Sequence, residues 1–390
     1  MVREGHEVHV LCSRRTYFDG RKEYPKKETV NGVHIHRVGG SGFGRINILG
    51  QFFDCISFYM MATCQALCLP RMDTCVALTT PPFIGLLGLL LNRIKGTKVI
   101  IWTMDLYPET LAAFGVLKSS NPLYRSLAWI SRKIYRQARK IISLGESMTQ
   151  RLMEFGVNPR DIVTVHNWSP CETSQSRETN ARKDARPEKQ ITMMYSGNLG
   201  RGHELDTVVK AIKHVKDTRD LRFLVTIGNG KPKEVLERNI AKMGLSCIGF
   251  RDPVPLEDLP GSLAAGHIHI VSQKPGTQGV MVPSKLYGIM AAGRPSIFIG
   301  PEDCESARII RQSGAGIVVA PADVEGVAAA IARLARDTQL RHTMGSVARA
   351  HYEKHFGRDR SVRHIIEAIT ESDTPSETEG MPITPALGWG

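Results

Sequence analysis

The run from His267 to Gly300 restricts the fold more than any other part of this 390-residue chain. An apolar strand pattern, His267-Ile268-His269-Ile270-Val271, leads into a polar loop from Ser272 to Gly279. The helix that follows has both ends marked: Ser284 as N-cap behind Pro283, Gly293 just past the last turn, and Pro295 where no helix can continue. A second apolar strand, Ser296-Ile297-Phe298-Ile299-Gly300, comes next. Strand, loop, capped helix, strand is a βαβ unit, which demands parallel strands with a helical layer over them. The helix start gathers unpaired N–H groups and partial positive charge, and Lys285 adds a full charge there. Such an end suits a phosphate, although a well-capped crossover with no ligand has the same signature.

The same alternation recurs along the chain, so the class is α/β. Length predicts two domains, each able to bury its own core. Apolar residues at 42% and charged residues at 23% fit an ordinary soluble protein. Residues 1–168 are read as the first domain and 190–356 as the second, separated by a polar linker at 169–189 with almost no large apolar side chains. A terminal helix over 357–370 and a disordered acidic tail over 371–390 complete the order. The start is unusual. Arg3-Glu4-Gly5 reads as a helix tail closed by glycine, and the strand Val8–Cys12 follows at once, so the first domain is expected to be incomplete at its beginning.

Charge is uneven. The net formal charge is +13, and residues 1–168 hold 22 Lys/Arg against 12 Asp/Glu, or +10 of it. A basic first half implies an anionic partner. On the helical pattern Leu123–Lys140, the cations Arg125, Arg132, Lys133, Arg136, Arg139 and Lys140 have no acid among them and are interleaved with Tyr124, Trp129 and Tyr135. That pattern fits a helix lying on an anionic membrane surface, and also a solvated basic face. The apolar stretch Ile46–Pro70 is interrupted by Asp54 and reads as a buried or interfacial helix, and no apolar core of a signal peptide opens the chain. The eight cysteines include no C-x-x-C pair and sit mostly in apolar runs, which predicts reduced, buried thiols. His34/His36 and His267/His269 are spaced i, i+2 on strands and are read as half-exposed strand faces, not metal ligands. No nucleic-acid recognition motif accompanies the basic charge.

Two candidate positions follow from the pattern itself. Lys98–Trp102 is a buried strand, and the loop after it places Asp105 and Glu109 at its carboxyl end, where open α/β sheets bind ligands. Both carboxylates could equally cap the next helix. Gly197-Asn198-Leu199-Gly200-Arg201 is a glycine-rich loop after the strand Ile191–Ser196.

Six marks in order give these features a context: Gly5-His6-Glu7-Val8, Asp105-Leu106-Tyr107-Pro108-Glu109, His166-Asn167-Trp168, Tyr195-Ser196-Gly197-Asn198-Leu199-Gly200, Gly228-Asn229-Gly230 and Pro283-Ser284-Lys285-Leu286-Tyr287. Together they resemble a GT-B glycosyltransferase of family 4, of the bacterial surface-polysaccharide kind, over about Arg3 to Phe356. The resemblance implies two Rossmann-like domains with mostly parallel sheets facing a cleft. The second domain would hold a nucleotide-sugar, UDP-linked in this reading, and the first a lipid-linked or saccharide acceptor. It implies transfer with retention of configuration, Asp105, Arg201 and Lys285 as catalytic groups, and Gly197, Asn198, Gly200, Gly228, Gly230, Ser272, Pro283, Ser284 and Leu286 around the donor. Glu109 and Asn167 would lie on the acceptor side. No cofactor or obligate metal is expected, since no Asp-x-Asp occurs. The expected location is the cytoplasmic face of the plasma membrane. The sequence departs from the family's paired glutamates, carrying Val280 and Gly288 there, and Glu302 or Glu305 could take over the ribose contact. Alternative readings of the same architecture are a degenerate, non-catalytic nucleotide-sugar-binding protein and a UDP-sugar 2-epimerase.

Overall fold

Val99-Ile100-Ile101 and Ile297-Phe298-Ile299 are unbroken apolar runs, the composition of strands covered on both faces, and all six side chains are buried. The computed structural model describes residues 1–14, 24–40, 48–170, 190–215, 221–228 and 230–370. The segment up to Thr164 contains β1 (Val8–Ser13), β2 (Lys27–Val30), β3 (Val33–Val38), α1 (Ile48–Cys68), β4 (Thr74–Leu78), α2 (Gly85–Lys95), β5 (Lys98–Trp102) and α3 (Glu109–Ala113). It continues with α4 (Pro122–Gln137), β6 (Lys140–Ser143), α5 (Glu146–Glu154) and β7 (Ile162–Thr164). The second segment contains β8 (Ile191–Ser196), α6 (Asp206–Val215), β9 (Leu221–Thr226), α7 (Lys231–Met243), β10 (Ile248–Arg251), α8 (Leu259–Ala264) and β11 (Ile268–Ser272). Then follow α9 (Lys285–Ala291), β12 (Ser296–Ile299), α10 (Glu305–Ser313), β13 (Gly316–Val319), α11 (Val324–Arg336), α12 (Thr338–His355) and α13 (Arg358–Thr370).

The strand order fixes where a ligand can sit. The second segment forms a six-stranded sheet, β10-β9-β8-β11-β12-β13, and every described pair in it is parallel. Its order reverses between β8 and β11, the arrangement of a doubly wound nucleotide-binding sheet, whose crevice opens at the carboxyl ends of the strands on either side of the reversal. The first segment holds a parallel four-stranded sheet, β4-β5-β6-β7, and a three-stranded sheet, β1-β3-β2, in which β1 and β3 are parallel and β2 antiparallel. The structure is thus α/β with mostly parallel sheets.

Each half has its own core. Met193, Tyr195, Val208, Phe223 and Ile268 centre one cluster in the second half, while Val99, Ile101, Ile134, Ile141 and Met148 centre one in the first. The last helix crosses over: Ile365 and Ala368 of α13 pack with Ile100, Ile142 and Val165 of the first half. Ser361 also donates to the His166 carbonyl at 3.2 Å.

Several local expectations need correction. The strand read over Ile162–Trp168 stops at Thr164, because the chain there turns across toward the second half. Ser284 adopts helical angles and makes no side-chain cap bond. The thiols are less buried than the apolar runs imply: of the seven described, Cys304 is buried, whereas Cys64 and Cys68 are exposed on the outer face of α1. Arg3-Glu4-Gly5 closes a single 3-10 turn, with Gly5 at φ 86°, a left-handed conformation that glycine adopts without strain. The 171–189 part of the linker, the 371–390 tail and Asn229 lie outside the described residues.

Candidate functional site

Three loops converge at the point where the six-stranded sheet reverses. The first leaves β8 at Gly197, the second leaves β9 at Gly228, and the third leaves β11 at Ser272 and leads to Lys285. Because β9, β8 and β11 are adjacent, these loops emerge side by side at one sheet edge.

Lys285 is the centre of the arrangement. Its Nζ donates to the Tyr195 hydroxyl at 2.8 Å and to the Asn198 carbonyl at 2.9 Å. The Tyr195 hydroxyl in turn donates to the same carbonyl at 3.0 Å. The ammonium also lies 4.6 Å from the Tyr195 ring centre, a cation–π distance. Burial penalises the charged form, and the Lys285 pKa is pushed down to about 7. Gly197, at φ 112°, must be glycine twice over: the conformation disfavours a side chain, and a Cβ would lie 3.3 Å from the Lys285 chain. Helix α9 has only seven residues, so the positive charge here comes mainly from the lysine and not from a long helix start.

The neighbouring groups are held firmly. Ser272 is fully buried and its hydroxyl accepts from the Glu204 N–H at 3.1 Å. His203 Nδ1 is 2.6 Å from the Ser272 carbonyl, so Nδ1 carries the proton and Nε2 is left as an acceptor. Burial, then the Lys285 charge, pushes the His203 pKa down to about 4, which keeps that ring neutral. Gln273 braces the loop by donating to the Thr277 and Met281 carbonyls at 3.2 and 3.3 Å.

The first half closes over this edge. Leu106 N–H donates to the Val280 carbonyl at 2.9 Å, which brings the Asp105 loop against the loop preceding Lys285. A Cβ on Gly202 would lie 2.6 Å from Met281 Sδ and 3.2 Å from Phe114, the residue just after α3. Asp105 is partly buried and its pKa is raised by burial. A second contact lies beside it. Glu305 is 2% exposed, is paired with Arg308, and accepts from the Ser147 N–H at 3.4 Å. Its carboxyl group fills the space that a side chain on Gly145 would need.

The residues named from sequence divide as follows. Gly197, Asn198, Gly200, Arg201, Ser272, Pro283, Ser284, Lys285 and Leu286 lie on the two loops at the reversal, with Arg201, Asn198 and Ser284 exposed and Pro283 and Leu286 buried. Gly228 and Gly230 follow the adjacent strand, and Gly230 starts α7. Asn167 sits on the crossing between halves, next to His166, whose Nδ1 is 3.4 Å from the Tyr287 hydroxyl. Glu109 lies at the start of α3, just past the Asp105 loop. It is 4% exposed and faces Tyr124, Arg132 and Arg151, with its pKa raised by burial, as befits a carboxylate set into the first half's core. Glu302 pairs with Arg311 at 2.9 Å, and Glu305 accepts from the Ser147 N–H of the first half. Sequence reasoning omitted Tyr195, His203 and Gly145 from the site. Tyr195 and His203 flank the glycine loop, which is the signal that could have found them, whereas nothing local marks Gly145.

Known proteins share this organisation. Residues 1–168 match the model of the glycosyl transferase 4-like domain, and residues 190–337 match that of glycosyl transferases group 1. The chain is 26% identical over 333 residues to a probable glycosyltransferase, WbjE, of Pseudomonas aeruginosa, covering 83% of this chain and 81% of that protein. It is 25% identical over 289 residues to WcaI of Escherichia coli K12, a putative colanic acid biosynthesis glycosyl transferase, covering 72% and 69%. The fold superposes on Anabaena HepE, solved in complex with UDP-glucose, with a TM-score of 0.65 at 15% identity, covering 86% of this chain and 85% of that one.

Proposed function

Because the chain belongs to the GT-B glycosyltransferases of family 4, with one family domain matched in each half, we propose that it moves a sugar from a UDP-sugar to a growing cell-surface polysaccharide or its lipid-linked precursor. The observation that carries this reading is the Lys285 ammonium, held at the sheet reversal by Tyr195 and Asn198 within reach of two glycine-bearing loops. A diphosphate seated on the Gly197–Gly200 loop meets backbone N–H groups, with Lys285 and Arg201 as its counter-charges. As the bond between the sugar's C1 and the diphosphate breaks, negative charge gathers on the leaving oxygen, and preplaced cations stabilise that charge more than they stabilise the ground state. The acceptor oxygen bonds to C1 on the face the diphosphate leaves, which retains configuration, and a diphosphate oxygen takes the acceptor's proton. Asp105 contacts the reacting sugar or the acceptor hydroxyl from the opposite half. The two cations fill the charge-neutralising role of a metal, so the scheme assigns no step to one.

The acceptor side is membrane-facing in this reading. On α4, Leu123 and Trp129 are 57% and 64% exposed, and Lys133 lies 5.3 Å from the Trp129 ring centre. Exposed aromatic and basic residues together suit an interfacial position over anionic lipid at the cytoplasmic face. No helix among the described residues is long and apolar enough to cross a membrane.

The experiment is nucleotide release from a panel of UDP-, GDP- and ADP-sugars, with binding of the free nucleotides measured by calorimetry. The expected result is UDP binding that collapses in Lys285→Ala. Nucleotide binding indifferent to Lys285 would remove the site, and binding without turnover on any acceptor would favour the non-catalytic reading. Flotation with vesicles of anionic lipid, lost at high salt and in a variant with Trp129 and Arg125 replaced by Ala, tests the membrane face.

A further inference from the structure

Glu7, His9 and His34 form a second polar cluster, at the amino ends of β1 and β3. Strands β1 and β3 are parallel with His9 opposite His34, so both imidazoles stand on one face of the sheet, their ring centres 4.9 Å apart. Glu7 joins them from the residue pair ahead of β1, its Oε1 2.7 Å from His9 Nε2. One ligand atom from each of the three lies within 4.8 Å of the others. Around a tetrahedral zinc ion, nitrogen and oxygen donors about 2.0–2.1 Å from the metal stand about 3.4 Å apart. Rotation of an exposed glutamate and a strand histidine covers that difference, and the Glu7 side chain is 68% exposed.

The surrounding contacts supply what metal-ligating histidines need, a partner on the second ring nitrogen. His36 Nε2 is 2.9 Å from His9 Nδ1, with the two rings stacked 9° from parallel. The Thr29 hydroxyl is 3.2 Å from His34 Nδ1. His9 Nε2–H donates to the Glu7 carboxylate at 2.7 Å while its Nδ1 faces His36 Nε2, and a divalent ion binding here displaces that Nε2 proton and takes its place. His36 Nδ1 is buried and has no hydrogen-bond partner among the described residues. The histidine spacing alone reads as a half-exposed strand face; the register with His9 is what assembles a donor set.

We propose that Glu7, His9 and His34 bind one divalent transition-metal ion of the zinc class, with His36 and Thr29 as positioning partners and the remaining coordination position open to water. Two imidazoles and a carboxylate suit zinc, nickel or cobalt better than magnesium or calcium. The histidines are the second residues of β1 and β3, so the ion lies at the amino ends of these strands, whereas the donor loops leave the carboxyl ends of theirs. Its role is structural: it ties the entering segment and β1 to β3.

The test uses the tag-free full chain, stripped with EDTA and desalted. Zn²⁺ is titrated by calorimetry and Co²⁺ by visible absorption, which reports tetrahedral coordination. One equivalent should bind, and Glu7→Gln, His9→Ala and His34→Ala should each weaken it at least about ten-fold. The thermal midpoint should rise with Zn²⁺ in the parent and not in His9→Ala. Replacing His351 and His355, an imidazole pair on α12 with ring centres 4.4 Å apart, should change nothing. Zinc affinity unchanged in Glu7→Gln, which leaves the fold intact, or lost on replacing His351 and His355, overturns the proposal. UDP binding should be the same with and without EDTA, so this site stands or falls independently of the donor site.

Discussion

The Lys285 ammonium donates to the Tyr195 hydroxyl at 2.8 Å, and that hydroxyl donates onward to the Asn198 carbonyl at 3.0 Å. The lysine is therefore tied to the strand end and to the loop that would carry the diphosphate. Its cost of burial is only partly offset by these hydrogen bonds and the Tyr195 ring, and among the described residues no carboxylate pairs with it.

Removing that charge should show in the transition state first. Lys285→Ala is expected to lower kcat/KM for the donor by about 10²–10³-fold, the scale for one preorganised electrostatic group. Lys285→Arg should retain part of the activity. Steady-state kinetics on both variants, with circular dichroism to confirm folding, checks this; equal rates in parent and Lys285→Ala would count against the site.

The lowered lysine pKa also sets a pH dependence. With a value of about 7, Lys285 is charged below neutrality and loses its proton above it. A diphosphate binds the charged form, so binding above pH 7 must take up a proton. UDP affinity should fall toward ten-fold per pH unit between about pH 7.5 and 9, and Lys285→Arg should flatten the trend. Stability runs the other way. The unfolded lysine titrates near 10.4, so between about pH 7 and 10 the unfolded chain binds the extra proton and this group's contribution to stability rises with pH. Calorimetry in two buffers of different ionisation enthalpy measures the proton uptake.

Tyr195→Phe deletes one acceptor for Lys285 and one donor to Asn198. A loss of about 1 kcal/mol in stability is expected, with a several-fold rise in donor KM and little change in kcat. Urea unfolding and kinetics separate the two effects. An unchanged KM would mean that the hydroxyl does not position the lysine.

Gly145→Ala tests the contact between halves. A Cβ there would lie 2.4 Å from the Glu305 carboxyl carbon, so the glutamate must leave its place against α5. The substitution should destabilise the parent by about 1–3 kcal/mol and do much less in a Glu305→Ala background. A four-protein unfolding cycle reads the coupling, and additivity would show that the two residues do not meet in solution.

Much of this was visible in the residues. The βαβ run at 267–300, the glycine loop after Ser196 and the strand ending at Trp102 follow from periodicity and turn chemistry, which are local properties. Ser284 misled because a serine before a helix suits a cap, yet here the chain enters already helical. The burial of Glu109 was not legible either, because position at a strand end does not say which way a side chain turns.

The sequence alone settled the alternation of strands and helices, the parallel class and the positions of the glycines and of Lys285, since backbone preference and hydrophobic period act over a few residues. Only the tertiary structure decided that β8 and β11, more than seventy residues apart, stand side by side and bring Gly197 and Ser272 to one edge. It alone set Glu305 against Gly145, sent α13 back onto the first half, and placed His9 opposite His34. Those relations depend on strand order, register and long-range packing, and no short window of residues encodes them.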